Sequence, residues 1–202
     1  MARIGFKKAK YNKIVSSTVS GSVVKSYATL TAGKVPDFEK VIDEKFAPEY
    51  NNAELYANDG LAECDYSFKK GTLSLTIADD DDAFIAELFG SSVAESGGEV
   101  RTSIESTAPE IAYGHIIPKI VGGVRKYKVE FFPRVKFTEV SGDNKTRAES
   151  VEFGTTSLTA VVMPLDEVTN GIPAGTWEKH NTFDDLEDAE TYLNGLLTPT
   201  AT

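Results

Sequence analysis

The stretch Ile111–Phe132 constrains the fold more than any other part of the chain, because it contains KIVGGVRKYKVEFF. Two adjacent glycines, Gly122 and Gly123, can both take the positive φ that a two-residue hairpin turn requires. Pairing Val121 with Val124 places Ile116, Ile120, Tyr127, Val129 and Phe131 on one face. Lys119, Lys126, Lys128 and Glu130 then share the other, with His115 beside them. The pattern predicts an antiparallel pair with one wet side. Pro118 offers no N–H, so its strand is expected at an edge or with that bond turned outward.

Further short strands follow from local composition. Val23–Leu30 is β-rich and follows Ser20-Gly21-Ser22. Tyr66–Ile77 ends in alternation, with Leu73, Leu75 and Ile77 on one face and Thr72, Ser74 and Thr76 on the other. Val135–Val140 and Ser150–Met163 read as two more strands, separated by the polar loop Ser141–Glu149. Two segments read as helices, each opening on acids: Asp79–Gly90, stopped by Gly90, and Asp184–Leu197. No repeat, linker or low-complexity block divides the 202 residues. Residues 1–202 are therefore expected to form one mainly β (α+β) domain of antiparallel strands with about two helices. The stretch Asp43–Asp65 has no periodicity and reads as a long loop. It carries Phe46, Tyr50, Leu55, Tyr56 and Leu61, so it should pack on its own domain or on a neighbour.

Tests for chemistry come back empty. The acidic run Asp79–Asp82 invites a calcium loop, but the fifth, sixth and twelfth positions would be Ala83, Phe84 and Gly90, which is no such loop. Helix-capping carboxylates explain it better, as they do Asp184, Asp185, Glu187 and Asp188. His115 and His180 have no metal-ligand spacing with each other or with Cys64. Neither a nucleophile elbow nor a phosphate-binding glycine loop is present. A catalytic carboxylate pair is spatial rather than sequential, so it stays open as an alternative, in a small hydrolase or carbohydrate-binding domain. The reading is no enzyme, no metal and no cofactor.

Charge narrows the field further. At a net charge of −10 the chain is a poor nucleic-acid binder, since such proteins place cations on phosphates. Residues 1–13 hold five bases and no acid, whereas residues 166–202 hold eight acids against Lys179 alone. Such ends can simply be solvated, or they can steer head-to-tail association. No apolar run is long enough for a membrane-spanning helix, and MARIGFKKAK leads into no apolar block, so neither a span nor a secretory leader is expected. One cysteine makes no internal bridge, consistent with a reducing cytoplasm.

The order of these segments carries a resemblance. A basic start, IGFKKAKYNKI, precedes ELYANDGLAECD and a strand opening onto DDDDAFIAELFG. Then come VGGVRKYKVEFFPRVKF, ESVEFGTTSLTAVVMP and the close GTWEKHNTFDDLEDAETYLNGL. This order resembles the major tail protein of long-tailed, non-contractile phages, the subunit of the tail tube. Leu55-Tyr56-Ala57-Asn58-Asp59-Gly60 matches that family's TLYADDG loop, and Leu88-Phe89-Gly90 its helix end. Gly123, Arg125, Lys126 and Tyr127 match its hairpin. The run Phe153–Ala160 follows its Phe-Gln-Thr-Pro-x-Leu-x-Gly strand but departs at the Gln, the Pro and the final Gly.

The resemblance implies an antiparallel β-sandwich or partial barrel of the phage tail tube type, with one flanking helix and a C-terminal helix. It implies hexameric rings that stack into a tube through which double-stranded DNA passes without being held. Its partners would be copies of itself and other tail proteins: the tape measure, the tail terminator and the distal tail protein. The protein would assemble in the host bacterial cytoplasm and reside in the virion tail. By the family's pattern, residues 1–22 form an N-terminal arm and 178–202 a C-terminal helix and tail. Residues 43–65 form the inter-ring stacking loop, with Tyr50, Asn51, Asn52, Glu54, Leu55, Tyr56, Asn58 and Asp59 as its contacts. The small, uncharged rows Thr72, Ser74, Thr76 and Thr155, Ser157, Thr159 are the candidate lumen face. A tube protein of a bacterial contractile or secretion machine is the alternative within the same structural class.

Overall fold

In the computed structural model Gly122 and Gly123 take φ of 59° and 82°, and Val121 pairs with Val124 as the two glycines demand. The structure describes residues 2–3, 5–19, 22–38, 40–57, 60–78, 81–94, 98–142 and 154–199. Eleven strands and two helices occur among them. They run β1 (Ala2–Arg3), β2 (Ala9–Val19), β3 (Ser22–Tyr27), β4 (Val41–Ala57), β5 (Gly60–Ile77) and α1 (Asp82–Phe89). Then follow β6 (Ser92–Val93), β7 (Val100–Arg101), β8 (Ile111–Val121), β9 (Val124–Gly142), β10 (Thr156–Val162), β11 (Lys179–Phe183) and α2 (Leu186–Leu197). The fold is mainly β, with an antiparallel sheet and two helices.

Nine strands make one sheet in the order β3-β2-β8-β9-β10-β5-β4, with β1 alongside β8 and β11 alongside β9; β6 and β7 pair separately. All its pairings are antiparallel. The registers set the tips of β4–β5 and β8–β9 at one end of the sheet and the tip of β2–β3 at the other. Strands β8 and β9 lie in the middle and are covered on both faces. Ile111, Tyr113, Phe132 and Val135 face one core with Leu73, Leu75, Ile77, Leu158 and Ala160. Ala112, Ile116, Val129 and Phe131 face a second core. The sheet therefore curls, bringing the far strands β5 and β4 over one face of β8 and β9.

Each helix seals one core. In α1 the Asp81 side chain accepts from Ala83 N at 3.0 Å, and Gly90 at φ 69° ends the helix. The capping reading of the acidic run holds there, while Asp79 and Asp80 lie outside the described residues. Phe84 and Leu88 enter the first core, and Lys13 meets Glu87 at 3.0 Å. Helix α2 buries Ala189, Leu193 and Leu197 in the second core, each large side chain contributing about 2 kcal/mol. It crosses β8 over Gly114, where a Cβ would strike the Leu193 side chain.

Several expectations look different in the structure. Within 1–22, the expected N-terminal arm, the described residues lie along the sheet: β1 and the start of β2 pair with β8, and Lys7 N donates to Ile116 O at 3.0 Å. The stretch 43–65, expected as a loop, has its described residues in a hairpin, β4 pairing with β5 from Val41 to Ala57. The supposedly wet side of the β8–β9 hairpin is dry at its lower end, since His115 and Glu130 are buried where β4 closes over them. Pro118 is buried and paired to Tyr127 in the sheet interior, with β1 and not β2 alongside its end of the strand.

Two measurements probe this architecture. Gly114→Val should overpack the seat of α2 and lower unfolding stability by about 2 kcal/mol, read from denaturant midpoints. Lys10 is buried and meets Asp37 at 3.1 Å. Burial would raise the Asp37 carboxyl, but Lys10 and Lys34 together hold it below its ordinary value. Asp37 then contributes stability at pH above its unfolded value near 4, lost as pH falls through the lower folded value. Asp37→Asn should remove that share of the acid limb in a pH series of thermal melts.

Candidate functional site

The long hairpin has two unlike faces, and the cross-strand register defines them. Glu44, Phe46, Pro48, Tyr50 and Asn52 of β4 alternate inward with Leu75, Leu73, Gly71, Phe68 and Tyr66 of β5. Asp43, Lys45, Ala47, Glu49 and Asn51 alternate outward with Thr76, Ser74, Thr72, Lys70 and Ser67. Bulges at Ile42 and Lys69 keep the two series in phase over this length. Only Gly71–Ile77 of β5 is also paired to β10. From Glu49 onward the hairpin leaves the sheet, and nine residues to Ala57 span about 30 Å.

The inward face starts as core and ends in solvent. Phe46 packs against Phe132, with ring centres 4.8 Å apart, and against Trp177. Trp177 stacks on Phe68 at 4.1 Å and 7°, and Tyr50 meets Phe68 edge-on at 6.1 Å. Gly71 leaves room for the Phe46 ring, which a Cβ there would hit. Beyond this stack the aromatic row continues uncovered, with Tyr50 51% and Tyr66 60% exposed. Asn51, Asn52 and Glu54 are exposed as well. Leu55 and Tyr56 belong to β4, but their side chains, like all of Asn58 and Asp59, lie outside the described residues.

The outward face joins the other predicted row. Thr76 pairs with Ser157 and Ser74 with Thr159 on adjacent strands. Thr72 stands opposite Val161. Thr155 precedes β10 and is outside the strand. The rows read separately from the sequence thus form one surface across β5 and β10. It is flanked by Asp43 and Lys45 on β4, and by Lys136 and Glu139 on β9. Those charges balance in sign, and at the root of the hairpin Lys70 meets Glu49 at 3.7 Å.

Sequence reasoning missed a polar cluster beneath the hairpin. His115 and Glu130 are cross-strand partners on β8 and β9, with Nε2 and Oε2 3.4 Å apart. Glu44 of β4 reaches them from the opposite wall, its Oε2 3.2 Å from His115 Nδ1, and Tyr113 Oη donates to that oxygen at 2.8 Å. Phe6 stacks on the imidazole at 5.1 Å. Burial would raise the Glu130 carboxyl, but hydrogen bonds and charge from His115 and Lys128 outweigh it and pull it down to about 2. Burial, then the Glu44 charge, pushes the Tyr113 phenol well up. A cavity of about 500 Å³ opens beside the cluster, lined also by Phe46, Trp177 and Glu178. The register set by Gly122 and Gly123 could have paired His115 with Glu130; no local signal links them to Glu44.

Several charges at the chain ends are partnered within the subunit. Lys8 meets Glu190, Lys10 meets Asp37 and Lys13 meets Glu87. Asp166 meets Lys25 and Arg134, and Asp184 meets Lys126. Among the described residues no helix is long and apolar enough to cross a membrane. No protein-family model matches the sequence, and no curated protein matches it either.

Trp177 is the single tryptophan, so its fluorescence reports on the root of the hairpin. Phe68→Ala should shift the emission to the red and reduce stability by about 1–3 kcal/mol. Unchanged emission would mean the stack does not hold the hairpin's root.

Proposed function

We propose that this protein is a structural subunit completed by copies of itself, forming rings that stack into the tail tube of a long-tailed, non-contractile phage. The observation that carries the reading is the hairpin β4–β5. An isolated two-stranded ribbon is at best marginally stable in water. This one leaves its sheet with an aromatic row still exposed, which favours burial against a second molecule. Tyr50, Asn51, Asn52, Glu54, Leu55, Tyr56, Asn58 and Asp59 are the proposed contacts with the adjacent ring.

Repetition follows from geometry. If the hairpin docks on a different part of the next subunit, the contact is heterologous, and a contact of that kind repeated along an axis gives a filament. Lateral contacts whose rotation closes would give the hexameric ring. The Thr72, Ser74, Thr76, Thr155, Ser157 and Thr159 surface is the proposed lumen wall. Its neutral hydroxyls and sign-balanced flanks offer DNA phosphates no basic track, so DNA would pass without being held. Tape measure, tail terminator and distal tail proteins are the proposed partners at the tube's ends, and the virion tail the proposed location.

A hydrolytic reading of the buried carboxylates is weaker. It needs one of the pair to hold a proton near neutrality. Glu130 is held ionised by His115 and Lys128 instead.

Negative-stain microscopy of the concentrated protein tests the proposal, the expected image being stacked rings. Tyr66→Asp changes an exposed side chain, so the subunit should stay within about 0.5 kcal/mol of its original stability. It should nonetheless form no tubes, and Tyr56→Asp should behave alike. Normal tubes from both variants would sink the hairpin assignment. Discrete monomers under all nucleating conditions, with absence from virions, would sink the function.

A further inference from the structure

Three ligand-bearing side chains converge where the root of the long hairpin closes over the sheet. One oxygen each of Glu44 and Glu130 and one ring nitrogen of His115 lie within 4.8 Å of one another. The imidazole is 1% exposed. Its Nδ1 faces Glu44 Oε2 at 3.2 Å but makes no hydrogen bond. We propose that Glu44 and His115 bind a divalent transition-metal ion, Zn²⁺ by the chemistry of the donors, and that Glu130 orients the imidazole from its far side.

The spacing suits an ion shared between the two groups. With bonds of about 2.0–2.2 Å, a tetrahedral ion keeps its ligands about 3.4 Å apart. The nitrogen and oxygen stand close to that separation and off the line that a hydrogen bond would need. On the other side of the ring, Glu130 Oε2 is 3.4 Å from Nε2. A proton held there fixes the tautomer whose lone pair is on Nδ1, the carboxylate–histidine–metal arrangement. Glu130 is itself braced by Lys128, and Glu44 by the Tyr113 hydroxyl. Both proposed ligands are thus oriented by a neighbour, as bound metals require. The adjoining cavity of about 500 Å³ has room for the water that completes the ion's shell. A nitrogen donor beside a carboxylate selects Zn²⁺ over the harder Ca²⁺ and Mg²⁺, which take oxygen. An ion here would tie β4 to β8, two strands that share no backbone ladder.

Calorimetric titration of the dialysed, intact chain with ZnCl₂ should give one equivalent bound and a raised Tm. Co²⁺ in its place should develop the visible absorption of a tetrahedral ion. Glu44→Gln should abolish this binding, and Glu130→Gln should weaken it about 10–100-fold, as loss of an orienting carboxylate does. His180→Gln should leave it intact, because His180 is the exposed histidine beside Glu178. In the unaltered chain, Zn²⁺ should move the His115 Nδ1 nitrogen resonance, a readout independent of any variant's folding. No binding of either metal, binding that follows His180, or an unmoved His115 resonance overturns the site. None of these readouts depends on ring or tube formation.

Discussion

Strands β8 and β9 carry apolar side chains on both faces, so water has to be kept from two sides of the same pair. A flat sheet would cover neither face. The chain meets the first demand by curling β10, β5 and β4 back over Tyr113 and Phe132, and the second by laying α2 across Ile116 and Phe131. Gly114 permits the second cover to come close, and α1 plugs the first core with Phe84 and Leu88. The curl has a further consequence. It carries β4 over His115 and Glu130, so a face patterned as wet becomes an interior with its own polar chemistry.

The same curl leaves β3 and β4 at the two ends of the seven-strand path through the sheet. Natural sheets blunt their edges with charge, proline or bulges. Strand β4 has all three: Lys45 and Glu49, Pro48, and irregularities at Ile42 and beside Tyr50. Open-ended β-pairing with another chain is therefore discouraged along the part of β4 that lies in the sheet. What is left available is the aromatic face of the projecting ribbon. In the proposed assembly a partner would then be met by side-chain burial with a defined direction rather than by an unspecific edge.

How much of this was legible in the sequence varies with the range of the contacts involved. Gly122-Gly123 fixed a register that the structure has, because a hairpin is set by its turn. The acids before Phe84 gave the cap of α1, again a local matter. Residues 43–65 misled because their alternation is interrupted. The register shifts between Leu55 and Tyr56, and Pro48 and Asn51-Asn52 are poor strand formers, so no run of period 2 survives. Yet β4 and β5 are only two residues apart, and the phase is restored after each bulge. The candidate residues Thr72, Ser74, Thr76, Ser157 and Thr159 were assigned to two separate strands, and only the pairing of β5 with β10 makes them one surface. Glu44 was invisible as a functional residue, since its distance from His115 depends on the closure of the whole sheet.

Charge pairing inside the subunit changes what electrostatics can be asked to do. The basic start and acidic end suggested complementary fields between copies. However, Lys8, Lys10 and Lys13 have carboxylate partners within the chain, as do Lys25, Lys126 and Arg134. The exposed pairs among them contribute little individually, about 0–1 kcal/mol, but each reduces the local field that could steer a second copy. Association driven by the ends would weaken steeply with salt, whereas association driven by Tyr50 and Tyr66 would not, because apolar burial is not screened. For the proposed assembly, this arrangement of charges favours the aromatic face of the hairpin over the chain ends as the contact between copies. A net charge of −10 opposes close approach of separate chains to one another and to nucleic acid.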